Sequence, residues 1–378
     1  MIPEETALAG LYIHVPFCKS RCFYCDFYSV TDTGLIPRFL KALFKEIDVY
    51  REEFSGFDTL YLGGGTPSLL ALHQIEALLE KVHKTFTILG AAEITIEVNP
   101  ADWKKNDLKA LQGMGINRIN IGVQSLNENE LTLLGRRHNR GQAISALEDA
   151  QAAGFTNIGI DLIYDLPGQT LAGWQETLNQ ALDFAPDHLS CYELEIKPGT
   201  PLGQRYELGE FPYPSQDLMR EFFMRTSEFL EFSGYIHYEV SNFAKGMERA
   251  SRHNRKYWDH TPYLGLGPSA HSFKAGRRWW NHSSVRQYLD DLAKDRMPVE
   301  GSEELTNEQL HTEALFLGLR TKQGIDLERH KLRYGHDLMQ EKGPVLEQWG
   351  REGLIEIEGG FVRPKRAGMA VADGLAQL

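Results

Sequence analysis

Leu11-Tyr-Ile-His-Val-Pro-Phe-Cys18-Lys-Ser-Arg-Cys22-Phe-Tyr-Cys25 joins a short apolar run, of the kind that becomes a buried strand, to three cysteines on one tight loop. One other cysteine, Cys191, lies far away in the sequence. The spacing C-x3-C-x2-C gives three thiolates, one short of a closed four-coordinate metal site. A [4Fe-4S] cluster is normally held by four thiolates. Held by Cys18, Cys22 and Cys25 alone, it keeps one iron open to an outside ligand, and an open position is what metal chemistry on a substrate requires. A disulfide is the poorer reading. The start Met1-Ile-Pro-Glu-Glu is acidic and has no apolar core of a signal peptide, so a cytoplasmic chain with reduced thiols is expected. A Cys3His zinc site with His14 as fourth ligand stands as the other reading, although structural zinc sites usually pair C-x2-C knuckles.

Outward from this stretch, apolar β-type runs alternate with helical patterns. Candidate strands cover residues 11–15, 59–63, 94–98, 118–123, 157–163 and 189–194, and amphipathic stretches cover 35–54, 67–86, 143–153 and 171–184. Such alternation predicts βαβ units and a parallel sheet. Six units are fewer than the eight of a closed barrel, so an α/β fold with a partial (β/α)6 TIM-like barrel is expected over 1–200, its chemistry at the C-terminal strand ends. Residues 201–295 read as an irregular extension completing the core, with one clear helix at 216–232. Residues 296–306 are polar and read as a linker. Residues 307–378 read as a C-terminal helical module ending in a β-hairpin at Gly359-Gly360, a winged-helix-like pattern.

Composition narrows the function. The chain has 378 residues, 42% of them hydrophobic, and a net charge of −12, which disfavours a nucleic-acid partner. No apolar stretch approaches the length of a membrane span. Aromatic pairs at Tyr257-Trp258 and Trp279-Trp280 suit either a core or a flat hydrophobic ligand.

Every unusual motif falls at a predicted strand end. Gly63-Gly-Gly-Thr-Pro-Ser68 follows the second strand, where missing Cβ atoms allow a close approach to the backbone. Alone, such a turn is usually structural. Glu97 ends the third strand among apolar residues and Gln124 ends the fourth. Arg136-Arg137-His138 follow, and Asp161 sits inside the apolar fifth strand, where a buried carboxylate needs a partner.

Together these motifs resemble the radical S-adenosylmethionine superfamily: the cysteine triplet with Tyr24 before its last member, and Gly63-Gly64-Gly65-Thr66-Pro67 as a methionine-binding turn. Tyr12-Ile-His-Val-Pro-Phe-Cys18, Ile-Glu97-Val-Asn-Pro, Gly122-Val-Gln124-Ser and Ile160-Asp161-Leu-Ile-Tyr-Asp-Leu-Pro167-Gly168 resemble its oxygen-independent coproporphyrinogen III oxidase family, from about residue 10 to the end. The resemblance implies that Cys18, Cys22 and Cys25 hold three irons of a [4Fe-4S] cluster. It implies nucleotide contacts for Tyr12, Tyr24, Gly64, Gly65, Thr66, Glu97, Gln124, Arg136 and Asp161. No further catalytic residue is assigned.

Two departures point to a sister branch, the HemW-like haem chaperones. Only seventeen residues precede Cys18, where the oxidases carry a long extension, and Phe27 stands where they have a further cysteine. His253-Asn-Arg-Lys-Tyr257-Trp258 matches that branch's H-N-x-x-Y-W segment, followed by Gly265-Leu-Gly-Pro-Ser-Ala-His271. This implies haem as a ligand, with His253 as axial donor, Tyr257 and Trp258 against the porphyrin face, and His271 as a second candidate. Cys191 reads as a buried small residue. Haem-acceptor proteins are the implied partners, with peripheral contact to membrane haem proteins and a homodimer allowed. A coproporphyrinogen III oxidase is the alternative, and another radical enzyme, for example one acting on RNA, a third.

Overall fold

Residues buried on both faces mark strands of a parallel sheet covered by helices, and six such strands form the centre of the molecule. The computed structural model describes residues 8–375. The strands are β1 (Ala9–Val15), β2 (Phe57–Gly64), β3 (Ile88–Val98), β4 (Arg118–Gln124), β5 (Ile158–Tyr164) and β6 (His188–Glu193). Each pairs parallel with the next, and a helix lies in every crossover, such as Ile36–Val49 after β1 and Leu72–Thr85 after β2. This sequential order is that of a (β/α) barrel left unclosed, as the alternation predicted. Strand β3 begins at Ile88 rather than 94. Its first residues are largely exposed and carry no apolar alternation to announce a strand.

Residues 201–295 extend the same sheet beyond both edges. They supply β7 (Ile236–Glu239), β8 (Asn242–Ala244), β9 (Tyr263–Leu266), β10 (His271–Lys274) and β11 (Arg277–Asn281). β8 pairs antiparallel with β6, while β9 runs parallel to β1, so the finished sheet has twelve strands. The helix predicted at 216–232 is present as Gln216–Phe232. Residues 296–306, read from sequence as a linker, carry β12 (Val299–Glu304), paired antiparallel with β11. Its polarity is that of a sheet-edge strand with most side chains exposed.

The C-terminal module runs helix, strand, helix, helix, hairpin. These are Asn307–Gly318, β13 (Ile325–Asp326), Leu327–Tyr334, Leu338–Arg351, and β14 (Ile355–Glu358) with β15 (Phe361–Pro364). Its hairpin turns at Gly359-Gly360, both at positive φ, as two-residue hairpin turns of this kind require. It has a small hydrophobic core of its own around Leu315, Leu319, Leu338, Leu346 and Val362.

One buried carboxylate ties the extension to the barrel. Glu46, fully buried on the helix Ile36–Val49, accepts hydrogen bonds from the Tyr288 hydroxyl (2.6 Å), Asn281 Nδ2 (2.5 Å) and the Gly267 N–H (2.8 Å). Burial pushes its carboxyl up to about 7, while the three donors pull it back toward the anion. Glu46→Gln places an N–H2 among donors. It is expected to lower stability by about 1–3 kcal/mol, the cost of unsatisfied buried polar groups. Chemical denaturation of the full chain measures this, and an unchanged midpoint and slope would contradict it.

Candidate functional site

The loop after β1 folds back on itself: Cys18 N–H donates to Val30 O (2.9 Å) and Val30 N–H to Pro16 O (2.8 Å). This closure holds three free thiols, with no disulfide among them. The Thr66 hydroxyl donates to Cys18 Sγ (3.4 Å), and Arg136 Nη1 donates to Cys22 Sγ (3.3 Å). Burial pushes the Cys25 thiol up to about 11, with Cys22 and Cys18 close enough to add to the effect. His14 does not complete a zinc site. Its Nδ1 faces the Tyr12 hydroxyl (3.1 Å), its Nε2 faces Tyr28 O (3.2 Å), and burial lowers its pKa to about 4.

The glycine turn after β2 packs directly on this loop. Gly64 has φ +107°, and a Cβ there would lie 2.7 Å from the His14 ring. At Gly65 a Cβ would come within 2.7 Å of Phe17 O and 2.9 Å of Val15 O. Glycine is therefore what brings this turn and Thr66 against the cysteine loop.

Above the sheet centre, inward-facing residues of successive strands form one polar layer. Tyr12 of β1 is level with Tyr61 of β2, and their rings lie 6.1 Å apart. The Tyr61 hydroxyl and Gly64 N–H donate to Glu97 (2.8 and 3.2 Å). Glu97 pairs in register with Asn120, whose amide donates to Asp161 (2.6 Å). Asp161 in turn is level with Ser190 of β6. Burial pushes Glu97 up to about 7, and the nearby Asp161 adds to the rise. Burial also raises Asp161. Arg136 reaches in from beyond β4, its Nη2 donating to Gly122 O (2.6 Å). Gln124 is buried at positive φ (68°), beside an irregularity in the β4–β5 register. Tyr24, on the cysteine loop, packs against the small apolar cluster of Leu134, Ile163, Leu166, Leu194 and Leu202. The residues that the sequence singled out thus lie near one another. The sequence missed Tyr61, Asn120 and Ser190, which alternate along their strands with the apolar residues, the same signal that exposed Glu97 and Asp161.

The H-N-x-x-Y-W segment takes a different place from the one expected. His253 is fully buried beneath the polar layer, in the short helix Arg252–Tyr257 packed at the barrel floor against the starts of β1 and β2. Its Nδ1 meets Thr59 Oγ1 (2.8 Å), its Nε2 meets the Tyr257 hydroxyl (2.9 Å), and its ring stacks on Tyr61 at 5.2 Å. Glu93 accepts the N–H groups of Arg252 and His253 (3.1 and 3.0 Å), and Arg118 donates to Arg249 O (3.1 Å). Both imidazole nitrogens are thus engaged, and His253 offers none to a haem iron; packing, not ligation, explains it. Its neighbours do face open space. Trp258 lines a cavity of about 580 Å³ against the C-terminal module, and Tyr257 lines a separate cavity of about 450 Å³ with Tyr263, His271, Phe273 and Trp280. His271 is exposed and stacks on Trp280 (5.9 Å, 24°). No hydrogen bond engages its ring among the described residues. Cys191 is buried in β6, as expected.

The donor set fits a cluster and a polar, partly cationic cosubstrate. Three thiols share one loop, and among the described residues Arg136 Nε and Asp161 Oδ1 are buried without hydrogen-bond partners. Unpaired buried groups of this kind need a ligand to satisfy them.

Comparison with known proteins agrees with this geometry. Residues 12–181 match the radical SAM superfamily and residues 305–371 the HemN C-terminal domain. "Heme chaperone HemW" of Bacillus subtilis is 34% identical over 92% of this chain and 93% of its own length. The protein of the same name in Mycobacterium tuberculosis is 36% identical over 97% and 94%. The solved structure of HemN, the coproporphyrinogen III oxidase of Escherichia coli, superposes with a TM-score of 0.85 at 25% identity, covering 98% of this chain and 89% of that one.

Cys22→Ala is expected to reduce iron in the anaerobically reconstituted protein to background and to abolish its visible absorbance, with far-ultraviolet circular dichroism unchanged. Full iron content in the variant would contradict the assignment of the triplet.

Proposed function

Because the chain belongs to the radical SAM superfamily and, within it, to the family of the HemW proteins, we propose that it is a haem chaperone. In this reading it carries a [4Fe-4S] cluster and S-adenosylmethionine and passes haem to acceptor proteins. The observation that supports this most is the similarity to the HemW proteins over nearly the whole chain, C-terminal module included.

Cys18, Cys22 and Cys25 would hold three irons, leaving the fourth to the amine and carboxylate of S-adenosylmethionine. When bound, this pair supplies one-electron reduction of a sulfonium. The rest falls to the chain's own residues. Gly64, Gly65 and Thr66 offer backbone and hydroxyl to the methionyl end. Glu97 and Asp161 set two carboxylates opposite a ligand carrying positive charge, which favours their ionised forms. Tyr12, Tyr24, Gln124 and Arg136 close the remaining sides and exclude water.

Haem would occupy the cavity that Tyr257 lines. Its aromatic walls suit a porphyrin face, its volume lies in the range of ligand sites, and His271 supplies an imidazole nitrogen free to meet iron. His253 keeps a supporting role: it positions Tyr257 by the hydrogen bond to its hydroxyl. Trp258 would contribute only from the neighbouring cavity.

Likeness to the HemN structure favours a second reading, oxidative decarboxylation of coproporphyrinogen III. Phe27 weighs against it: at the position where the oxidases carry a further cysteine, it stands 69% exposed on the cysteine loop.

The purified chain is expected to take up about one haem, with a Soret band that His271→Ala weakens by about tenfold or more in affinity. His253→Ala should lower thermal stability instead. An unchanged Soret band and affinity in His271→Ala would reject that ligand. Failure of the wild-type chain to bind haem, together with vinyl product from coproporphyrinogen III, would replace the chaperone reading by the oxidase.

A further inference from the structure

The C-terminal module holds a second cluster of metal-ligating side chains, remote in sequence from the cysteine loop. We propose that His311, His336 and Glu341 bind a divalent transition-metal ion, zinc being the natural occupant of a two-histidine, one-carboxylate set.

Three segments supply the donors: the helix Asn307–Gly318, the turn after Gly335, and the first turn of the helix Leu338–Arg351. One ligand atom from each lies within 4.8 Å of the others. Glu341 is 3.1 Å from His336 Nδ1 and 4.0 Å from His311 Nε2. These separations bracket the edge of about 3.3 Å that a tetrahedron with 2.0–2.1 Å bonds requires. An ordinary ion pair between His336 and Glu341 explains the first contact only. The second is too long for a hydrogen bond, and the length suits an ion between the groups.

The other nitrogen of each histidine is already held, as metal-bound imidazoles usually are. His311 Nδ1 meets His330 Nε2 at 2.8 Å, so a proton on Nδ1 leaves the Nε2 lone pair for the metal. His336 Nε2 faces Glu308 at 3.4 Å, giving the carboxylate–histidine–metal arrangement. The two rings stack at 4.0 Å with an angle of 17°, so binding one ion requires one ring to turn and the two to part until both lone pairs meet it. Two helices and a turn would thus be tied beside a small hydrophobic core, where a structural metal adds most. This inference is independent of the haem assignment.

The test uses the full chain with its cluster loaded, incubated anaerobically with zinc and desalted. Elemental analysis should find roughly one zinc per chain, falling to near zero in both His336→Ala and Glu341→Gln, with iron content unchanged. X-ray absorption at the zinc edge should show nitrogen and oxygen scatterers with imidazole features and no sulfur. Zinc should also raise the thermal midpoint of the wild-type chain but of neither variant. Absence of retained zinc in the wild type, equal zinc in the variants, or a sulfur shell would each overturn the proposal.

Discussion

Two carboxylates, Glu97 and Asp161, are part-buried in the mouth of one open barrel, and their desolvation is the constraint around which the rest is arranged. A lone buried anion is costly. Here burial raises both acids, and Asp161 adds to the rise at Glu97. The protein offsets part of this with the Tyr61 hydroxyl, the Gly64 N–H and the Asn120 amide. It leaves Asp161 Oδ1 open. The helix Arg252–Tyr257 packs beneath this layer, against β1 and β2. Across that mouth lies the loop of three thiols. A ligand that satisfies both sides has positive charge at one end and chelating groups at the other.

Much of this was legible in the sequence because strands and polar layers share one periodicity. An acid at every second position of an apolar run can only face the lumen or water, and Glu97 and Asp161 announced themselves that way. Asn120 and Ser190 obey the same rule but are common strand residues, so their polarity drew no notice. The cysteine spacing was decisive for a further reason: a tight loop presents nearby thiols whatever surrounds it.

What the sequence did not carry was depth. His253 beside Tyr257 and Trp258 reads as a ligand flanked by flat surfaces. Only the register of Thr59, Glu93 and Arg118 beneath the polar layer shows that this helix is the barrel floor. Residues 296–306 were misread for a related reason: an edge strand with exposed faces has the composition of a linker. The helix Leu327–Tyr334 likewise has a charged surface: its buried residues are His330 and Tyr334, and Leu327 packs on the module's core. Fold and function separate at the same depth. HemN shares this architecture at a TM-score of 0.85, so the scaffold does not discriminate between decarboxylation and haem transfer. The discriminating chemistry lies in what lines the second cavity and in what stands beside the cysteines.

On this reading, three thiolates leave one iron of the cluster open to a ligand held by the barrel mouth. Mössbauer spectroscopy of the reconstituted 57Fe protein, recorded with and without S-adenosylmethionine, tests it most directly. The account predicts that about one quarter of the iron signal, one iron of four, shifts on adding the nucleotide while the remainder stays in place. A spectrum in which all four irons are unaffected would contradict it.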